Sequence, residues 1–269
     1  MKTRWLLAAM LMIPTTLVVH GADWPQWRGP ERTDVSQETG LLAKWPQGGP
    51  KLLWTCEDAG IGFSGFAVVG DRLYTLGSDG KSEYVIAVDV NTGKRVWATP
   101  IGAHYTNGWG DGPRGTPTVD GDAIYAISAA GNLACVDAKT GKGRWSNSFT
   151  KAGGRTPNWG YTESPLIDGD KVVCTPGSKI GTFAAFDKKT GKPLWYSKGL
   201  TDGAAYSSII TADVGGVKQY INMTSQGVAA VTADDGRPLW KSGEGRNGTA
   251  IIPTPIFHDN HVFITSGYG

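Results

Sequence analysis

One phrase recurs along this chain and leaves few folds open to it. Asp89-Val90-Asn91-Thr92-Gly93-Lys94-Arg95-Val96-Trp97 returns as Asp137-Ala138-Lys139-Thr140-Gly141-Lys142-Gly143-Arg144-Trp145 and as Asp187-Lys188-Lys189-Thr190-Gly191-Lys192-Pro193-Leu194-Trp195. A degenerate copy from Thr232 to Trp240 keeps Gly236 and Trp240 without the leading Asp, and Trp54 closes an earlier partial copy. Trp54, Trp97, Trp145, Trp195 and Trp240 stand 43, 48, 50 and 45 residues apart, the length of one four-stranded blade with its connections. The 39 glycines and 11 tryptophans agree with this, since tight turns need the first and strands that bury large rings use the second.

Local patterning excludes a helical repeat of similar period. Ala123-Ile124-Tyr125-Ala126-Ile127-Ser128 is a β-branched, alternating segment, followed by a turn at Gly131-Asn132 and by Leu133-Ala134-Cys135-Val136-Asp137, which together read as a hairpin. Upstream lies a second turn signal, Val119-Asp120-Gly121-Asp122, matched by Ile167-Asp168-Gly169-Asp170 and Val69-Gly70-Asp71. Each unit is therefore four antiparallel strands, and the chain is expected to be an all-β propeller. Gly93, Gly141, Gly191 and Gly236 are expected at positive φ in the turn before the outer strand. Asp89, Asp137 and Asp187 are expected to accept hydrogen bonds from the turn's amides. Recurrence in register assigns these residues to structure rather than catalysis. Trp97, Trp145, Trp195 and Trp240 are expected to fill the gap between neighbouring blades.

With Ala87-Val88-Asp89 preceding its first full copy, and Val136-Asp137 and Phe186-Asp187 as variants, the phrase resembles the pyrroloquinoline-quinone-enzyme (PQQ-like) repeat over about Trp54 to Gly269. The resemblance implies blades docked by their Trp side chains, in a ring of seven or eight. It does not imply the cofactor, because such repeats occur both in quinoprotein dehydrogenases and in non-catalytic propellers such as the bacterial outer-membrane assembly lipoprotein. A fifth unit begins at Pro253-Thr254-Pro255 and reaches Gly269 without another Asp-x-x-Thr-Gly-x-x-x-Trp segment. Since a ring closes by pairing strands from both ends, the sequence is expected to be an incomplete part of a larger propeller.

Met1-Lys2-Thr3-Arg4 followed by an apolar run from Trp5 to Val19, interrupted by Pro14 and ending in small residues, reads as a secretory signal peptide over residues 1–22. An uncleaved anchor is the alternative, weakened by the short run and by Pro14. Residues 23–53, opening with Trp24-Pro25-Gln26-Trp27-Arg28-Gly29-Pro30, are expected to form an extension covering a blade edge. An exported, periplasmic or extracellular monomer with no transmembrane span after cleavage is the expectation. A formal charge of +2 with 19% charged residues gives no reason to expect a nucleic-acid partner. Cys56, Cys135 and Cys174 are an odd number without zinc spacing and are expected to behave as small buried hydrophobes. His258 and His261 are expected to flank a hairpin turn, and no metal site is expected.

Function is expected in the loops that lead from one blade to the next. Aligning Thr116-Pro117, Ser164-Pro165 and Thr254-Pro255 places Arg114, Glu163 and Tyr206 near the channel mouth with Trp109 and Trp159 beside them. An Arg there could pair with a carboxylate and a Trp could stack on a planar ligand; the plainer possibility is that Arg114 and Glu163 satisfy each other or nearby loop backbone. Two functions follow. The favoured one is a non-catalytic scaffold that binds a protein partner or small ligand, without a cofactor. The alternative is a quinoprotein alcohol or sugar dehydrogenase using PQQ and calcium. Against it stand the lack of an adjacent cysteine pair, which the enzymes it would resemble often carry, and of a dense acidic run for calcium.

Overall fold

The computed structural model describes residues 21–268, so the expected signal peptide lies outside the described residues except for its last two. Regular structure among the described residues is entirely β. The first sheet contains β1 (Phe66–Val69), β2 (Arg72–Ser78), β3 (Ser82–Asp89) and β4 (Arg95–Ala103). The second contains β5 (Thr118–Asp120), β6 (Ala123–Ile127), β7 (Asn132–Asp137) and β8 (Gly143–Ser148). The third contains β9 (Leu166–Asp168), β10 (Lys171–Cys174), β11 (Ala184–Asp187) and β12 (Pro193–Tyr196). The fourth contains β13 (Ile210–Val214), β14 (Val217–Thr224), β15 (Gly227–Thr232) and β16 (Pro238–Ser242), and a hairpin of β17 (Ile256–His258) and β18 (His261–Phe263) follows. Each four-stranded sheet is an antiparallel meander, and the sheets are the blades of a β-propeller.

Burial explains why the middle strands read as continuous apolar runs. β6 and β15 are buried along their whole length, because each is covered on both faces by a neighbouring blade. The core lies in the seams. Tyr74, Val85, Ile124 and Val136 fill the first seam, and Tyr125, Cys135, Cys174 and Phe186 the second. Val173, Phe183, Tyr220 and Val231 fill the third, and Ile221, Met223 and Ile251 pack with Phe257 in the fourth. Cys135 and Cys174 are buried and free as thiols, whereas Cys56 is only half-buried; it sits outside the strands, where no second blade covers it, and so departs from the expected buried role.

The recurring phrase builds the joint between blades. Asp89 accepts from the Asn91 amide at 3.1 Å, the Thr92 amide at 3.0 Å and the Thr92 hydroxyl at 3.0 Å. Asp137 and Asp187 make the same three bonds to their own turns. In the degenerate copy Asp235 takes over, accepting from the Thr232 hydroxyl and from the Arg237 amide. Gly93, Gly141, Gly191 and Gly236 follow at φ of 67°, 72°, 71° and 72°. Each outer strand then carries one extra residue directly before its Trp. The register steps from Ala87–Trp97 to Val88–Arg95, which leaves Val96 unmatched, and Arg144, Leu194 and Leu239 are left over in the same way.

The rings of Trp54, Trp97, Trp145 and Trp195 land on the glycine of the following blade, whereas Trp240, expected to dock in the same way, is 37% exposed and donates its indole N–H to Gln219 of its own blade. A Cβ built on Gly93 would lie 2.6 Å from the Trp54 ring, on Gly141 2.6 Å from Trp97, on Gly191 2.6 Å from Trp145 and on Gly236 2.3 Å from Trp195. Trp54 docks in this way although it lies outside any strand, and its indole N–H donates to the Val90 carbonyl at 2.6 Å. The hairpin at His258 and His261 turns through Asp259 and Asn260 at φ of 46° and 60°, as the two histidines were expected to mark.

The segment after residue 22 crosses the inner ends of three blades. Trp24 exchanges two backbone hydrogen bonds of 2.8 Å with Val68 on the free edge of β1, and the Val119 amide of β5 donates to Pro25 at 2.8 Å. Arg32 is buried and donates to the carbonyls of Pro165 and Ser164 at 3.1 and 3.0 Å, just ahead of β9. Its burial lowers the guanidinium pKa to about 10, partly opposed by the negative charge of Glu163.

Candidate functional site

The loops ahead of the inner strands meet around a cavity of about 920 Å³. Its floor is a ladder of hydroxyl side chains. The Thr116 amide donates to Ser164 Oγ at 2.9 Å, the Ser164 amide to Ser208 Oγ at 3.0 Å, and the Ser208 amide to Thr254 Oγ1 at 3.2 Å. Each blade thus satisfies a backbone donor of the blade before it, and all four residues face the cavity. The X-Pro dipeptides at Thr116, Ser164 and Thr254 were the visible trace of this ladder. Ser208 lacks the Pro and was missed as its third rung.

Arg114, Trp109, Trp159 and Tyr206 line the cavity. The Arg114 guanidinium donates to the carbonyls of Gly110 and Gly112 and lies 5.6 Å from the centre of the Phe63 ring and 5.3 Å from that of Tyr105. It is thereby held by its own loop, and two aromatic faces keep it in place. The Trp159 and Tyr206 rings are 5.6 Å apart and inclined at 52°, and the Trp159 amide donates to the Tyr206 hydroxyl at 3.3 Å. Trp109 is 83% exposed, and among the described residues its ring pairs with no other aromatic ring.

Glu163 stands elsewhere. It is 2% exposed and lies behind the cavity wall, accepting from the Thr175 amide at 2.6 Å and the Thr175 hydroxyl at 2.8 Å. Asn222 joins the same network from the next blade, donating to Thr175 Oγ1 at 2.9 Å. Desolvation raises the Glu163 carboxyl to about 7, against the pull of the Thr175 hydrogen bonds and of the Arg32 charge. The expected placement of Glu163 at the channel mouth is therefore corrected: the side chain turns into the seam between the third and fourth blades. Arg114 and Glu163 do not satisfy each other; each has its own set of partners.

Trp27, Phe63, Ile252 and Phe263 complete the apolar wall. No local pattern marks them, because they come from the N-terminal segment, the approach to β1, the approach to β17 and β18. Asp34 also reaches the cavity, and its carboxylate is paired with Arg28 at 2.5 Å. Among the described residues no group of three or more His, Cys, Asp or Glu side chains is placed to hold a metal ion. Glu163 is committed to Thr175 and Asp34 to Arg28, so the donors present do not fit calcium beside a quinone.

Comparison with known proteins places this architecture. Outer membrane protein assembly factor BamB of Burkholderia pseudomallei is 24% identical over 214 residues, covering 77% of this chain and 50% of that protein. Lupanine 17-hydroxylase (cytochrome c) of a Pseudomonas species is 32% identical over 159 residues, 54% of this chain and 22% of that protein. Among solved structures, the quinohemoprotein alcohol dehydrogenase from Comamonas testosteroni superposes with a TM-score of 0.57 at 18% identity, over 81% of this chain and 40% of that one, which speaks for the fold alone. The chain spans about half the length of the assembly-factor relatives it matches. The family model described as outer membrane protein assembly factor BamB matches residues 81–269, the greater part of the sequence, and the chain belongs to this family of PQQ-like repeat propellers.

Proposed function

We propose that this chain is a non-catalytic, extracytoplasmic propeller scaffold that holds a protein partner in the cavity walled by Trp27, Trp109, Trp159 and Tyr206. The observation that carries this reading is the wall itself: a wide concavity of aromatic and aliphatic faces on a rigid scaffold, with the Arg114 guanidinium fixed at its side. Such a surface suits a segment with alternating apolar or aromatic side chains. Likeness to proteins named outer membrane protein assembly factors supports a role in that process, whose cargo strands alternate in this manner. Residues 23–53 serve in this proposal as an extension that closes the inner blade edges, and residues 1–22 as the export signal that takes the chain out of the cytoplasm as a monomer.

Titration with a ten-residue peptide of alternating aromatic and polar residues tests the reading, with the intrinsic fluorescence of the cavity tryptophans as signal. Saturable quenching that weakens at least tenfold in Trp159→Ala supports it, and an unchanged spectrum at millimolar peptide overturns it. The same preparation is to be titrated with PQQ and calcium. Saturable cofactor absorbance with dye-linked oxidation of an alcohol or sugar would replace the scaffold by the dehydrogenase.

A further inference from the structure

A second concavity, of about 570 Å³, adjoins the first and shares Tyr206, Thr249 and Ala250 with it. Its character is opposite. Arg155, Lys179 and Arg246 line it, contributed by three separate loops, and no Asp or Glu is among its lining residues. All three cations are exposed, and among the described residues none of their side chains takes part in an ion pair or a hydrogen bond. The carboxylate nearest along the chain to this wall, Asp202 between Thr201 and Gly203, is already held by Lys241 at 2.8 Å and by the Thr224 hydroxyl at 3.0 Å. Asn158, Gln226 and Asn247 add amide groups around the same space.

We infer that this cleft is an anion-binding site that takes the carboxylates of an acidic peptide segment. Three like charges lining one cleft, with no carboxylate among the lining residues, raise the local potential and attract an anion from solution. Two of them are guanidiniums, which pair with carboxylates through two parallel hydrogen bonds. The cleft is far larger than one tetrahedral anion needs, and its cations stand on three loops rather than in one backbone cradle, which suits carboxylates spaced along a chain. The inference rests on these residues alone and does not depend on what fills the apolar cavity.

Fluorescence anisotropy of a labelled tetraglutamate peptide tests it, with tetraglutamine and inorganic phosphate as competitors. Saturable binding of tetraglutamate is expected, at least tenfold weaker when Arg155→Gln, Lys179→Gln and Arg246→Gln are combined, and weakened by added salt. The charge-keeping combination Arg155→Lys with Arg246→Lys loses the paired guanidinium hydrogen bonds but not the charge, and is expected to bind more weakly than the parent and more tightly than the glutamine variant; thermal melting verifies that both variants are folded. Absence of binding, equal binding of tetraglutamine, displacement by phosphate at the concentration of the peptide, or undiminished affinity in the glutamine variant would each overturn the assignment.

Discussion

Gly141 lies directly under the indole of Trp97: a Cβ at that position would come within 2.6 Å of the ring. The residue is at φ 72°, so the turn and the neighbouring blade impose glycine independently. Gly141→Ala is expected to cost about 2–4 kcal/mol, from the left-handed backbone and from overpacking. Gly121, also at positive φ, meets nothing within 4 Å, and Gly121→Ala is expected to cost about 1 kcal/mol for its backbone alone. Urea unfolding of the two variants measures the difference. Equal losses would remove the docking contact from the account.

Acid sensitivity should reside in the turns. Hydrogen bonds from Thr92 and Thr190 hold the Asp89 and Asp187 carboxyls below the ordinary range. For Asp137 the lowering comes first from Arg144, which donates at 2.7 Å, and then from Thr140. A carboxylate depressed in the folded state stabilises it above the unfolded pKa, and that contribution disappears as pH falls through the folded value. The melting temperature of the protein is thus expected to drop between about pH 4 and pH 2. The combination Asp89→Asn, Asp137→Asn and Asp187→Asn should melt lower at neutral pH and show a shallower acid slope. An unaltered slope would assign the acid transition to other groups.

Glu163 predicts the opposite slope. Its carboxyl, raised from 4.5 to about 7 by burial, binds a proton more tightly folded than unfolded, so stability falls as pH rises through that interval. The full effect amounts to about 3 kcal/mol. Glu163→Gln can place its amide oxygen on the Thr175 N–H and its NH2 on the Thr175 hydroxyl, much as a protonated Glu163 would, and is expected to stay within about 1 kcal/mol of the parent at the acid end of the window. Above neutrality the variant should equal or exceed the parent in stability. Denaturant titrations across the window decide this, and parallel curves for the two proteins would show that Glu163 does not titrate there.

Arg114 and Trp109 separate binding from folding. Arg114→Lys cannot span the Gly110 and Gly112 carbonyls and is expected to lower stability by about 1 kcal/mol, with weaker quenching by the alternating peptide because the loop wall loosens. Trp109→Ala removes an exposed ring and should leave stability within about 0.5 kcal/mol, while peptide affinity falls at least tenfold. Loss of stability in Trp109→Ala with affinity retained would take this ring out of the binding surface.

Much of the blade was legible in contiguous residues. The short apolar, β-branched run Ala123–Ile127, which is buried on both faces rather than alternating, the Asp-Gly turns and the Thr-Gly phrase act over a few residues, so their consequences can be read locally. The repeat also assigned Asp89, Asp137 and Asp187 to the turns they stabilise. The seam was legible only in part. The recurring Trp announced a joint, but that its ring meets the glycine of the next phrase depends on the bulge before each Trp and on the placement of one blade against another.

The candidate site divides in the same way. By itself the sequence determined which loops are exposed on the scaffold and which of them carry Arg114, Trp109, Trp159 and Tyr206. Only the tertiary structure decided that Trp27 and Ile252, 225 positions apart in sequence, share one wall with them, and that Glu163 faces inward. The physical reason is that turns and strand alternation arise from neighbouring residues, whereas desolvation is a property of everything packed around a group. For Glu163 that surrounding consists of Thr175, Asn222 and the distant Arg32, none of which its own loop reveals.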